Sequence, residues 1–314
     1  MNRRQFVSTL GVGVVAAGMS KASSSHTLNV SPQVAITMDD IDMNNSDTPK
    51  LSIDERNLAI LDALRRHSGL KAALFVCGMR VDNENGRNHL RAWDKDGHII
   101  ANHSYSHFYY PNTEFDKFAQ DVLRGEAIIK DSSNFQKLFR FPYLKEGDTL
   151  EKRNKMRAFL QTHGYNMGYV TIDTSEWVID SRLRDRLKKQ PNADLSSYRN
   201  FYLEHMWDRA MFYDNLARKV LGRPVKHTLL IHHNLVNALF LGDLLRMFDR
   251  KGWKLIDAKE AFTDPVFSAA PNITPAGESI IWALAKESGK FDKLLRYPAE
   301  DGKYETPKMN KVGL

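Results

Sequence analysis

Two histidines four residues apart, His103 and His107, close the run Gly97-His98-Ile99-Ile100-Ala101-Asn102-His103-Ser104-Tyr105-Ser106-His107, and an acidic pair, Asp39-Asp40, lies upstream. Imidazoles at this spacing can lie on one face of a single helical turn. A divalent ion held there needs a further protein ligand, which a carboxylate from another strand can supply. Three protein ligands and an open position describe a catalytic site, because a structural site closes the fourth position. Arg140, Asp173 and His232 add a cation, a second acid and a third imidazole, each at the end of an apolar run. Taken singly these features are weak: an Asp-Asp pair after a strand often caps a turn. Their common placement is what carries the argument.

That placement follows from the elements. Apolar runs at 34–38, 72–76, 99–101, 137–141, 169–172, 227–231 and 253–256 read as strands. Segments 52–67, 114–130, 154–163, 198–221 and 239–251 read as helices; in the first, Ile53, Leu58, Ile60, Leu61 and Leu64 recur at helical spacing. Strands alternating with helices predict parallel βα units. In a barrel of parallel strands the C-terminal strand ends converge on one face, where chemistry is done. Beyond residue 262 the pattern weakens into a proline-containing stretch with one expected helix, 278–286.

With 42% hydrophobic and 26% charged residues, the chain reads as an ordinary globular protein. A single cysteine, Cys77, excludes an intrachain disulfide, and its apolar run 72–77 favours a buried, inert thiol. The formal charge is +7; without residues 1–22, which hold Arg3, Arg4 and Lys21, 42 basic side chains face 38 acidic ones. So small and dispersed an excess gives no case for nucleic acid, and the basic stretch at 182–189 reads as a solvated helix face. The N-terminus, Asn2-Arg3-Arg4-Gln5-Phe6-Val7, puts two arginines ahead of an uncharged, mildly apolar run that ends at Ser20-Lys21-Ala22. This resembles a twin-arginine export signal, with an ordinary secretory signal as the alternative, and it is too weakly apolar for a permanent membrane span. Both signals lead a bacterial protein to the periplasm or beyond.

Five stretches, in order, resemble the polysaccharide deacetylases of carbohydrate esterase family 4, which include nodulation-factor and chitin deacetylases. Thr37-Met38-Asp39-Asp40 is similar to the first motif, His103-Ser104-Tyr105-Ser106-His107 to the second and Arg140-Phe141-Pro142-Tyr143 to the third. Asp173-Thr174-Ser175-Glu176-Trp177 is similar to the fourth, and Leu229-Leu230-Ile231-His232 to the fifth. Four departures stand out: Met38 for an aromatic, Ile41 for a glycine, Glu176 for the second Asp of the fourth motif, and His233 after His232 where Asp is common. The resemblance spans about residues 32–262. It implies an α/β fold, a distorted (β/α) barrel of about seven parallel strands, carrying a C-terminal tail.

The resemblance also implies roles. Asp40, His103 and His107 would hold the metal, Zn²⁺ first, with Co²⁺ or Ni²⁺ also suited to such ligands. Asp39 would be the base, kept ionised by Arg140; His232, charged and oriented by Asp173, would be the acid. The backbone N–H of Tyr143 would face the oxyanion, and Tyr143, Trp177 and Tyr105 would wall the acetyl group or sugar. On the residues alone, the converse division, with Asp39 on the metal and Asp40 as base, stays open. The implied domains are an export signal at 1–22, a catalytic domain at 28–264 with an insertion over the pocket at about 178–226, and an extension at 265–314. The implied activity is removal of N-acetyl groups from an extracytoplasmic polysaccharide or oligosaccharide. An O-acetyl esterase of the acetylxylan type, or a non-catalytic carbohydrate-binding protein on the same fold, is the alternative. The expected partners are an acetylated glycan and, for export, the twin-arginine machinery.

Overall fold

The computed structural model describes residues 31–41 and 50–314, so the expected export signal lies outside the described residues. Its centre is a parallel sheet built from β1 (Gln33–Asp39), β2 (Ala73–Val76), β3 (Ile99–Asn102), β4 (Phe135–Phe139), β6 (Asn166–Met167) and β7 (Lys226–His232). The spatial order is β6-β4-β3-β2-β1-β7, and β8 (Lys254–Leu255) pairs with the start of β1. The sheet curls, and the segment after β6 reaches across the gap: Gly168 donates to the Phe139 carbonyl, and Ile172 bridges Leu229 of β7. The result is the irregular parallel barrel that the alternating pattern predicts.

Strand alternation divides β1 between two environments. Val34, Ile36 and Met38 join the large core under the outer helices, whereas Ala35 belongs to a small inner cluster with Ala73, Phe75, Ala101 and Leu138. On the inner face of β1, Thr37 and then Asp39 follow Ala35. Register places Asp39 of β1 opposite His232 of β7, so two of the polar strand ends meet directly.

The outer layer holds α1 (Ile53–Arg66), α2 (Gly78–Val81), α3 (Glu84–Lys95), α4 (Phe115–Ile129), α5 (Leu150–Thr162), α6 (Glu176–Lys189), α7 (Ser196–Leu221), α8 (Leu235–Arg250) and the short α9 (Ala258–Ala261). A capping box between Ser52 and Glu55 starts α1, and Arg65 and Arg66 complement its C-terminal dipole. Its buried face carries Asn57 with Ile60, Leu61 and Leu64; Leu58, expected on that face, is exposed. Asn57 is buried because it accepts a hydrogen bond from the Trp93 indole at 2.8 Å, a polar need that apolar periodicity does not register.

The tail has more structure than its composition suggests. β9 (Ala276–Gly277) pairs antiparallel with β5 (Lys145–Gly147), and α10 (Ile280–Ser288) and α11 (Gly302–Lys311) follow. Ile280 N–H donates to the Val170 carbonyl, and Ser279 Oγ to that of Thr171. The tail is thus stitched to the segment that spans the barrel gap.

Candidate active site

At the C-terminal end of the barrel a cavity of about 490 Å³ is lined by Asp39, Asp40, His103, His107, Tyr143, Asp173, Trp177 and His232, among others. Asp39 is the last residue of β1, and Asp40 turns away from it with φ 57°. The two carboxylates consequently serve different neighbours. Asp39 Oδ1 accepts a 2.6 Å bond from Arg140 Nη1, while Asp40 Oδ2 lies 3.4 Å from His107 Nε2.

The histidines follow β3 on a loop rather than on the helical turn that their spacing suggested. Ser104 (φ 64°) and His107 (φ 56°) both take left-handed backbone, which a helix excludes. Asp121 of α4 fixes the loop by accepting the N–H groups of Tyr105 and Ser106, and Ser104 Oγ accepts that of His107. Gly125 lets α4 come this close, since a Cβ there would lie 2.7 Å from Asn102 Oδ1. The imidazoles still converge, with ring centroids 5.0 Å apart.

Ligand atoms of Asp40, His103 and His107 all lie within 4.8 Å of one another. His103 is buried and donates its Nδ1–H to the Arg140 carbonyl at 2.8 Å, which fixes the tautomer and leaves Nε2 with a free lone pair. Burial, more than any charge nearby, pushes its pKa down to about 3, so the ring is neutral as a ligand must be. Asp40 Oδ1 is buried and has no hydrogen-bond partner among the described residues. An orphaned carboxylate oxygen beside two imidazoles fits a divalent cation.

Two further pairs flank this trio. Arg140 is buried over the Phe75 ring and donates to Asp39, to Thr37 Oγ1 at 3.0 Å and to the Gly168 carbonyl at 2.8 Å. Burial raises the Asp39 pKa above the usual carboxylate value, and the opposing pull of Arg140 does not cancel it. Opposite, His232 Nδ1 lies 3.0 Å from Glu176 Oε1, and the same oxygen accepts the His232 N–H at 2.8 Å. Burial disfavours charge on His232, but Glu176, then Asp39 and Asp40, outweigh it and lift the pKa to about 10.

Residues 29–167 match the family described as polysaccharide deacetylase. That segment, somewhat under half of the chain, is similar to the polysaccharide deacetylases. A peptidoglycan-N-acetylglucosamine deacetylase of Bacillus cereus is 28% identical over 146 residues, 46% of either chain. A second one from that organism is 33% identical over 85 residues, 26% of this chain and 38% of its own. The chain thus spans less than half the length of these curated relatives. Among solved structures, a mutant described as a family 4 carbohydrate esterase pseudoenzyme shares 17% identity with a TM-score of 0.50, covering 74% of this chain and 67% of that one. This likeness shows a common fold.

The deacetylase motifs therefore meet in one cavity, with two corrections. The carboxylate that engages His232 is Glu176, whereas Asp173 lies on the cavity wall with its pKa pushed up by burial and by Glu300. Tyr105 does not line the cavity: its hydroxyl donates to Asp82 at 2.9 Å and its ring lies under Arg124, because the turn at Ser104 aims it outward. Ile41, where the family has glycine, is fully buried, and the left-handed residue is its neighbour Asp40. Cys77 is buried with its thiol pushed up to about 12, which makes it inert.

Sequence reasoning also missed one wall. No residue of 178–226 lines the cavity, although that segment was expected to cover it; Glu278, Pro298, Glu300 and Asp301 from the tail do. Their only advance signal was a set of acids in a weakly patterned segment.

Proposed function

We propose that the protein is a metal-dependent hydrolase that removes N-acetyl groups from an extracytoplasmic polysaccharide or oligosaccharide. The observation that carries this reading is the division of one cavity into a histidine pair with an orphaned Asp40 oxygen, a base side (Asp39, Arg140) and an acid side (His232, Glu176). Asp40, His103 and His107 would hold the ion, Zn²⁺ by preference and Co²⁺ or Ni²⁺ as substitutes. When bound, a divalent ion lowers the pKa of a water and polarises a carbonyl oxygen.

Asp39 takes the proton of the attacking water at Oδ2, since Oδ1 is occupied by Arg140. Arg140 holds that carboxylate in place and opposes its protonation. The backbone N–H of Tyr143 faces the oxyanion as the acetamide carbon becomes tetrahedral. His232, charged and oriented by Glu176, gives its Nε2 proton to the leaving amine. Trp177 and the ring of Tyr143 exclude water from the acetyl group, and Asp173 lines the sugar side. The relatives' names favour N-acetylglucosamine units of peptidoglycan as the substrate class, and an acetylated glycan is the partner. Residues 28–264 form the catalytic domain and 265–314 extend its wall.

Export across the inner membrane by the twin-arginine route places the protein in the periplasm or outside the cell. No helix among the described residues is long and apolar enough to cross a membrane.

The test is acetate release by the zinc-loaded protein from N-acetylglucosamine oligomers and from acetylxylan. Acetate from the oligomers supports the amide reading, acetate from acetylxylan alone replaces it with the esterase, and none from either removes it.

A further inference from the structure

Aromatic side chains stand on both sides of the cavity, beside the two histidines and in the C-terminal tail. The ring of His107 meets Tyr143 at 4.6 Å, and Tyr143 meets Tyr109 at 5.6 Å. Tyr297 meets Trp282 at 5.8 Å, and its neighbour Pro298 lines the first cavity. Three of these rings are unusually open for their size: Tyr143 is 57% exposed, Tyr297 47% and Tyr109 40%. Lys145 stands over Tyr297 with its ammonium 5.2 Å from the ring centre. At the far end a second cavity, of about 260 Å³, opens in the tail between Tyr297, Trp282 and Arg296. The Trp282 indole donates to the Arg296 carbonyl at 2.9 Å, so the floor of this cavity is fixed.

We propose that this aromatic strip and the tail cavity bind the sugar units that flank the one being deacetylated, so that the substrate is an oligosaccharide of several units. The chemistry matches on both sides. A pyranose ring presents C–H groups on its faces and hydroxyls at its rim, so it needs flat apolar rings with polar groups beside them. Open tyrosines bordered by charged side chains supply both. Position selects a glycan over a peptide or lipid, because the strip starts at the site where the reacting sugar sits. Exposed aromatics gathered on one surface mark a binding site rather than an accident of composition. The strip also gives the tail a function that a stabilising strap would not have. This inference rests on the deacetylase reading for the identity of the ligand, and the experiment separates the two.

The zinc-loaded full chain and its Tyr297→Ala and Tyr109→Ala variants are assayed on the N-acetylglucosamine tetramer and on an aryl acetate no larger than the first cavity. Tetramer binding is measured separately by protein fluorescence. Each variant should lose about tenfold more kcat/KM on the tetramer than on the ester, mainly through KM, and should bind the tetramer more weakly. Equal losses on both substrates, or unchanged tetramer binding, would overturn the track. Should the parent protein release no acetate from any oligomer, the deacetylase reading falls, and the fluorescence titration alone decides whether the strip binds glycan. The two tyrosines lie on separate segments, so misfolding of one variant leaves the other to report.

Discussion

Glu176 and Asp173 lie three residues apart, yet only Glu176 reaches His232, and that choice sets the pH behaviour. The start of α6 aims the longer side chain inward, where Asn234 and Asn237 also donate to it, each at 3.1 Å. The sequence displays both acids, but which one faces an imidazole depends on a backbone turn that neither residue type specifies. His232 must be protonated to act as acid, and its pKa of about 10 keeps it so across neutral pH. Removing the partner charge lowers that pKa, so Glu176→Gln should move the alkaline limb of kcat to lower pH, toward the ordinary imidazole value. Asp173→Asn should move it far less. A bound cation lowers the limb in every variant, so the comparison among variants is what counts; an equal or larger shift in Asp173→Asn would return the orienting role to Asp173. The adjacent acids separate in the same way. Asp40→Asn should lose metal in elemental analysis, whereas Asp39→Asn should keep it and lose about 10²- to 10⁴-fold in kcat. The reverse pattern of metal content would exchange their roles.

Among elements, the parallel strands were legible because strands covered on both faces are continuous apolar runs, and β1 and β7 begin and end within a residue or two of their runs. The loop at 103–107 converges its imidazoles without a helical turn, because i, i+4 spacing permits a shared helical face but does not impose one. The strand pair of β5 and β9 was illegible for another reason: each is two or three residues long, and its partner lies about 130 positions away. That pair nevertheless supports the cavity wall. Gly277 has φ 125°, and a Cβ there would lie 1.8 Å from the Leu144 carbonyl oxygen, next to Tyr143. Gly277→Ala should therefore push the Tyr143–Leu144 turn away from the cavity as well as strain β9. We expect a stability loss of roughly 2–4 kcal/mol in denaturant titration. The variant that remains folded should show a lower kcat on small acetyl esters, because the displaced turn carries the N–H proposed to face the oxyanion. Full kcat in a destabilised variant would confine the role of β9 to holding the tail.

For the molecule as a whole, the question is whether the metal holds the fold or only the reaction. The large core draws on β1, β2, β3 and β7 and on most of the helices around them, and none of the three candidate ligands belongs to it. Asp39 is already paired with Arg140, so emptying the site leaves Asp40 as the carboxylate without a full complement of partners. Chelation should consequently abolish acetate release while the far-ultraviolet dichroism stays native. Zinc binding should raise the melting temperature only by linkage: about 2.7 kcal/mol when free metal is a hundred times its dissociation constant, or several degrees for a chain of this size. His103→Ala should remove both the activity and this zinc-dependent rise, because its neutral Nε2 is one of three donors and two cannot hold the ion at the same concentration. A chelated protein that unfolds would make the site structural. A His103→Ala variant that keeps the full rise would mean that zinc binds through other side chains, and the proposed reaction would lose its centre.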